Sequence, residues 1–372
     1  MAYIHHCVTS LDRQGGAQTY IHSLLKHQSS DVNQQVINLF DGVKQNQFKL
    51  LHIHDPKQLT ELSGECPVVF TLHNHSTYCP SGSRFLSASQ SCCNRPVSYL
   101  GCTWGHLVEG CGSRRPEKIF QGFRVSQTEL KNLKNKKIPI IAVSNYARHQ
   151  LIRQGISQDQ VTTVHHGITS PGDLSEPLTA EIHSNQRILF VGRLVPEKGL
   201  SILIRALAQT LPHIHLDIAG EGWMKPQLQT LAKQLSLEKR ITWHGWCDSQ
   251  KLEKLYQTCY AVIFPSLWPE PAGLITLEAY ARFRPIIASN VGGIPEYIIP
   301  GKTGLLVPPN STVHLVEAIS KLSTDLDLCQ RLASQGHTHY QNSFTIGHHV
   351  KSLEKIYESV IQGFSNNTSK PI

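Results

Sequence analysis

The stretch Tyr260-Ala-Val-Ile-Phe-Pro-Ser-Leu-Trp-Pro-Glu-Pro-Ala-Gly-Leu-Ile-Thr-Leu-Glu-Ala279 decides how the chain is read. Its apolar run, 260–267, has the length and make-up of a strand buried on both faces, and Pro269 and Pro271 fence its end. A helix then opens near Gly273. Glu270 stands in the loop and Glu278 one to two turns into that helix. Between them the free amides of Gly273, Leu274 and Ile275 form a helix N-terminus, a natural anion site. Hydroxyl, phosphate, hydroxyl is the outline of a ligand that such a series would grip, and it is the outline of a nucleotide sugar. An ordinary helix with one exposed and one salt-bridged glutamate fits the same spacing.

Strand–loop–helix patterns of this kind recur in both halves, which predicts α/β architecture with parallel sheets. Strands are expected at 3–8, 35–39, 50–54, 68–73, 138–143 and 161–165, then at 187–192, 215–220, 241–244, 261–264, 286–289 and 304–307. Around 168–186 apolar periodicity gives way to Pro, Gly and Ser, a domain boundary. The expected division is a first domain at 1–170, a second at 171–345, a helix at 346–363 and a frayed tail at 364–372. A cysteine-rich stretch, 76–116, reads as an insertion at the C-terminal end of a first-domain strand, where open α/β sheets place ligand loops.

With 372 residues the chain is too long for one typical core, so two domains are the default. No apolar run approaches the roughly 18 residues of a membrane span. Met1 leads into an apolar segment with no basic region or cleavage site, so a cytoplasmic location is expected, with the inner membrane face as an alternative. The net charge of +8 is spread along the chain, which argues against nucleic acid and suits small polyanions or an anionic membrane face. Of ten cysteines, five (Cys79, Cys92, Cys93, Cys102, Cys111) cluster in the insertion without a C-x-x-C pair. Reduced, partly buried thiols are expected there, and a structural metal is the alternative.

A second signal is Phe190-Val-Gly-Arg-Leu-Val-Pro-Glu-Lys-Gly199. The strand ends at Gly192, the loop carries Arg193 and Lys198, and a helix follows. Two cations aimed from a sheet's C-terminal edge suit a diphosphate, although a solvated loop with two unrelated charges has the same pattern. Glycine pairs fall at other strand ends: Gly15-Gly16, Gly220 with Gly222, and Gly292-Gly293. His73 closes another strand, and His165-His166 a further one; among 21 histidines neither position speaks for itself.

Together these segments resemble the retaining, nucleotide-sugar-dependent glycosyltransferases of the GT-B type, the large group containing sucrose synthases and bacterial mannosyl- and glucosyltransferases. Val191-Gly-Arg-Leu-Val-Pro-Glu-Lys-Gly199, Ile218-Ala-Gly-Glu-Gly222, Glu270-Pro-Ala-Gly-Leu-Ile-Thr-Leu-Glu-Ala279 and Gly292-Gly-Ile-Pro-Glu-Tyr297 carry the likeness. The first domain matches more loosely, through Gly15-Gly16, His73 and Val143-Ser144. The resemblance implies two Rossmann-like domains facing each other across a cleft, with the last helix crossing back to the first domain. It implies that Arg193 and Lys198 neutralise a donor diphosphate, that Glu270 holds hydroxyls of the transferred sugar and that Glu278 binds the ribose. Gly15, Gly16, Gly192 and Gly220 would lie against the donor, with the amides at 273–275 on sugar and phosphate. His73 would bond the sugar near its anomeric carbon.

Transfer with retention by a metal-independent hexosyltransferase is therefore expected, with no cofactor beyond the donor. A UDP-sugar is the first expectation, because UDP is the commonest donor nucleotide in the group. The acceptor is expected to be a glycan, a lipid-linked glycan or a small molecule, in the setting of polysaccharide or cell-surface glycan synthesis. It would meet the insertion with its Arg84, Arg95, Arg114 and Arg115. Ala272, where the group commonly has an aromatic residue, departs from the pattern. A nucleotide-sugar epimerase of the same shape and a non-catalytic donor-binding relative are the competing readings.

Overall fold

The computed structural model describes residues 2–8, 16–27, 32–39, 44–172 and 176–368. Its strands are β1 (Ala2–Cys7), β2 (Val32–Ile37), β3 (Leu50–Ile53), β4 (Val68–Leu72), β5 (Phe85–Leu86), β6 (Ser91–Cys92) and β7 (Ile140–Ala142). They continue with β8 (Val161–Thr163), β9 (Arg187–Val191), β10 (His215–Ala219), β11 (Ile241–Gly245), β12 (Ala261–Phe264), β13 (Ile286–Ser289) and β14 (Leu305–Val307). The helices are α1 (Gly16–Lys26), α2 (Tyr99–Leu107), α3 (Pro116–Asn135), α4 (Asn145–Arg153), α5 (Ala180–Ser184) and α6 (Leu200–Leu207). After them come α7 (Lys225–Gln234), α8 (Ser249–Thr258), α9 (Leu274–Ala281), α10 (Thr312–Thr324), α11 (Leu326–Ser343) and α12 (Ile346–Thr368).

The chain divides into two compact units: residues 1–84, 94–169 and 345–372 form the first, and 85–93 with 170–344 the second. Each holds one six-stranded sheet whose mapped pairings are parallel.

The sheet of the second unit runs β11-β10-β9-β12-β13-β14. This is the doubly wound order whose direction reverses between its first and fourth strands, and the crevice at that reversal is where open α/β sheets take their ligands. The reversal lies between β9 and β12. Ile188, Leu189 and Phe190 on one strand and Ala261, Val262 and Ile263 on the other are buried as continuous apolar runs, as strands covered by helices on both faces require. The stripe Leu200, Leu203, Ile204, Leu207 of α6 is buried against them. Leu211, at the same helical spacing, lies beyond the end of α6 and is exposed.

In the first unit the order is β2-β1-β3-β4-β7-β8, so its reversal lies between β1 and β3. Side chains of α12 (Val350, Leu353, Tyr357) share a buried cluster with Ile4, Ile21 and Leu50. The apolar face of the last helix thus completes the core of the first unit. That helix continues to Thr368, so the tail expected to fray from residue 364 is helical for its first five residues.

The insertion departs from expectation in two ways. Its second part is not irregular: Ser98 caps α2 by accepting from the Gly101 amide, and directly after the insertion α3 buries Ile119, Phe123, Leu130 and Leu133 along one face. Its short antiparallel hairpin, β5 with β6, belongs to the second unit. Phe85 is buried in that unit's core, and the Cys92 thiol lies 3.5 Å from the Leu267 carbonyl oxygen.

Candidate active site

The two loops that leave β9 and β12 carry the strongest sequence signals, and the fold brings them together. Lys198 Nζ donates to Glu270 Oε1 at 2.5 Å, with side-chain exposures of only 17% and 9%. Ser266 Oγ donates to the same carboxylate oxygen at 2.9 Å, and the Trp268 ring lies 5.5 Å from the ammonium. An ammonium has three donors. One is spent on Glu270, and no other acceptor for Lys198 occurs among the described residues.

Glycine makes this approach sterically feasible. Gly199 sits at φ 71°, and a Cβ there would lie 1.9 Å from the Pro265 carbonyl oxygen. The Lys198 loop therefore rests directly on the backbone leaving β12, and Leu267 N donates to Glu197 O at 2.8 Å. Gly292, at φ 61°, packs against the other side of the same loop, where a Cβ would meet the Glu270 carbonyl oxygen at 2.5 Å. The neighbouring Gly293 amide donates to that oxygen at 2.7 Å. Both positions are left-handed as well as crowded, so no side chain replaces hydrogen there without moving backbone.

Beside Glu270, α9 starts at Leu274 with Gly273 as its cap. The Gly273 carbonyl accepts from Thr276 and Leu277, while the first-turn amides at 274 and 275 have no intrahelical acceptor and point out of the helix end. Thr276 Oγ1 is buried there without a hydrogen-bond partner. A buried hydroxyl with no partner is costly, and an oxygen-rich ligand at the helix N-terminus would satisfy it. Sequence reasoning passed over both Thr276 and Ser266; their strand-end and first-turn positions were the available signal.

Glu278 is half-buried in the second turn of α9. Tyr256 OH donates to its Oε2 at 2.9 Å, and burial raises its carboxyl above the usual range against the pull of Arg282. Its other oxygen accepts nothing from the described residues. Arg193 is exposed over 68% of its side chain and pairs only loosely with Glu197, at 3.9 Å, in the β9 loop. Gly192 and Gly220 are back to back, a Cβ on Gly220 falling 1.9 Å from Gly192 O. Together the described residues give two cations, two carboxylates and a helix N-terminus at the carboxyl ends of β9 and β12.

The expected residues of the first unit form a separate group. Gly15 lies outside the described residues, and Gly16 is the first residue of α1. His73 follows β4 and belongs to a buried set of imidazoles that the sequence reading did not anticipate. His6 Nδ1 and His54 Nε2 are 2.8 Å apart, and His54 Nδ1 and His73 Nε2 are 2.9 Å apart. His52 bonds Thr71 Oγ1 at 2.6 Å and Tyr357 OH at 2.7 Å. His349 bonds Tyr20 OH at 2.8 Å and the His165 carbonyl at 2.7 Å. Burial depresses His52, His54 and His166 well below the usual imidazole range and takes His73 to about 3 and His349 to about 4.

Ring nitrogens of His6, His52 and His54 lie close enough together to share an ion. Both nitrogens of His52 and both of His54 are already engaged by protein partners, so the residues fit a hydrogen-bonded network better than a metal centre. The insertion cysteines are free thiols, and among the described residues they form no such group. Arg84, expected to meet an acceptor, is instead buried, donating to the Arg95 carbonyl and to Gln150. Arg95 is paired with Glu109. Arg114 and Arg115 remain exposed.

Residues 179–339 match the model of the family described as "Glycosyl transferases group 1". That span contains every element of the loop site just described. The matched residues lie within the second unit. Over 279 residues the chain is 28% identical to alpha-maltose-1-phosphate synthase of Mycolicibacterium smegmatis, covering 68% of this chain and 72% of that one. It is 31% identical over 232 residues to D-inositol 3-phosphate glycosyltransferase of Mycobacteroides abscessus, covering 58% and 49%. The chain spans about half the length of most of the curated relatives it matches. Among solved structures, HepE of Anabaena in complex with UDP and glucose aligns with a TM-score of 0.71 at 19% identity, over 96% of this chain and 100% of that one. The likeness establishes the fold: two Rossmann-like units of the GT-B type, with the residues that match the family model in the second.

Proposed function

We propose that the protein is a retaining glycosyltransferase that moves a sugar from a nucleoside diphosphate sugar to a hydroxyl acceptor. The observation that carries this reading is the buried Lys198–Glu270 pair beside the free amides of α9, at the strand reversal of a group 1 domain. In this mechanism Lys198 and Arg193 stabilise the negative charge that grows on the diphosphate as its bond to the anomeric carbon breaks. Fixed charge of this kind does the larger part of the work at such sites, and the same two cations would make the transfer metal-independent. Glu270 holds Lys198 in place and offers its remaining lone pairs to sugar hydroxyls; Glu278 takes the ribose. The acceptor oxygen bonds the anomeric carbon on the face the diphosphate leaves, and its proton passes to a diphosphate oxygen. His73 has a ring nitrogen, Nδ1, without a partner among the described residues and would bond a sugar hydroxyl.

UDP-glucose is the donor to test first, since HepE was crystallised with UDP and glucose. For the acceptor we propose a glycan or lipid-linked glycan, in line with the exposed Arg114 and Arg115. The decisive assay combines a panel of nucleotide sugars with such acceptors and reads nucleotide release and the product anomer by NMR. A product with the donor's anomeric configuration is expected. An inverted product removes retention, a changed nucleotide sugar formed without acceptor makes the protein an epimerase, and donor binding without turnover makes it a binding protein.

The two carboxylates should separate by ligand. Calorimetry with UDP alone should show Glu278→Ala weakening binding more than Glu270→Ala, because only Glu278 is assigned to the nucleoside half. Equal losses would contradict the split.

A further inference from the structure

Seven of the twelve large apolar side chains that stand exposed among the described residues fall between positions 99 and 125. Four of them, Leu100, Trp104, Leu107 and Val108, follow a helical spacing along α2 and its cap, so they share one outward face. Leu100 is 88% exposed and Trp104 57%. This is not a helix searching for a core, because its inner side is already used: His106 is buried and bonded to the Ser113 carbonyl, and Tyr99 stacks on Phe123 of α3 with ring centroids 4.5 Å apart. On α3, Phe120 and Val125 are exposed as well.

Charge indicates what covers this face. The residues that follow α2 bring Arg114, Arg115, Lys118 and Arg124 to the surface. Of the two acids nearby, Glu109 is neutralised by Arg95 and only Glu117 is exposed without a partner. Leu, Trp and Phe side chains flanked by a surplus of Arg and Lys are the composition of a segment lying in the interface of an anionic bilayer, with tryptophan at headgroup level. No described helix is long and apolar enough to cross a membrane. We propose that the outward face of α2, with Phe120 and the basic residues between the two helices, docks the protein onto an anionic lipid surface. This binding surface does not depend on the transfer reaction proposed above.

The test is co-sedimentation of the full chain with vesicles of mixed phosphatidylglycerol and phosphatidylcholine, beside pure phosphatidylcholine vesicles and a high-salt control. Binding to the anionic vesicles alone, weakened by salt, is expected. Leu100→Glu with Trp104→Glu should lower the partition coefficient by roughly tenfold or more, because both residues leave the apolar interface. Arg114→Ala with Arg115→Ala should lower it less and flatten its salt dependence. Both variants alter exposed side chains, so their melting temperatures and UDP affinity should match those of the parent chain; this separates lost docking from lost folding. Absence of binding to anionic vesicles, or equal partition of parent and glutamate variant, overturns the proposal. So does a parent chain that sediments as a dimer, becomes a monomer on Leu100→Glu and ignores lipid, which would assign the face to a second copy.

Discussion

Lys198→Ala is expected to lower turnover by about 10²–10³-fold, the usual loss when a fixed charge is taken from the place where transition-state charge develops. It should also destabilise the second unit. Lys198 is the cation paired to Glu270, and both side chains are largely buried. Removing one member of a buried pair costs about 3–5 kcal/mol, because the other charge is left without compensation. Here the Ser266 hydroxyl remains on the carboxylate, which places the expected loss toward the lower end of that range. A double variant separates the two effects. Lys198→Ala combined with Glu270→Gln leaves no buried charge, so its melting temperature should recover most of the loss while turnover stays low. Lys198→Arg should keep the charge and fail in geometry, since a planar fork cannot occupy the site of an ammonium 2.5 Å from one carboxylate oxygen. Near-parental turnover in Lys198→Ala would remove the charge-stabilising role, and a double variant as unstable as the single would remove the pairing argument.

The pair shows where sequence reading stopped. Lys198 and Glu270 were each legible as loop residues after a strand, because the apolar runs that end at Val191 and Leu267 read as strands. Their direct contact was not, since it depends on which strands are neighbours. Placing β12 beside β9 requires the sheet order, and no periodicity records that. Gly292 was noticed in a glycine pair and Gly199 only as a helix start, yet the backbone each one touches belongs to a different loop, at Pro265 and Glu270. The helix α3 is a different kind of miss: Ile119, Phe123, Leu130 and Leu133 form a readable stripe, but it follows directly on the cysteine-rich stretch and was not read as an element. The histidines were hidden by abundance. His52 lies in β3 opposite His6, and His54 directly follows that strand, so the pattern lay in the strand register rather than in composition.

Those histidines predict acid lability. Burial depresses the folded-state pKa of His52, His54, His166 and His349. Unfolded, each would bind a proton near the ordinary value of about 6.5. Above that pH both states are neutral and the four residues leave stability independent of pH. Below it the unfolded chain takes up protons that the folded chain refuses, so stability falls until the folded pKa is reached, about 4 for His349. Each residue contributes at most about 1.4 kcal/mol per pH unit, and the four together have an upper limit of about 5 kcal/mol per unit. A domain stable by roughly 5–15 kcal/mol does not survive much more than two such units. The first unit is therefore expected to lose its structure between about pH 5 and pH 4. Circular dichroism should report this before tryptophan emission does, because Trp223, Trp243, Trp246 and Trp268 all lie in the second unit and only Trp104 in the first. His52→Gln keeps a hydrogen-bonding side chain between Thr71 and Tyr357 and cannot take up a proton. It should flatten the slope of melting temperature against pH below 6.5, whatever it does to stability at pH 7.5. A melting temperature unchanged between pH 7.5 and 5.5 in the parent chain would mean that the imidazoles take up protons in the folded state, and with it the account of His52, His54, His166 and His349 as held neutral by burial would fall.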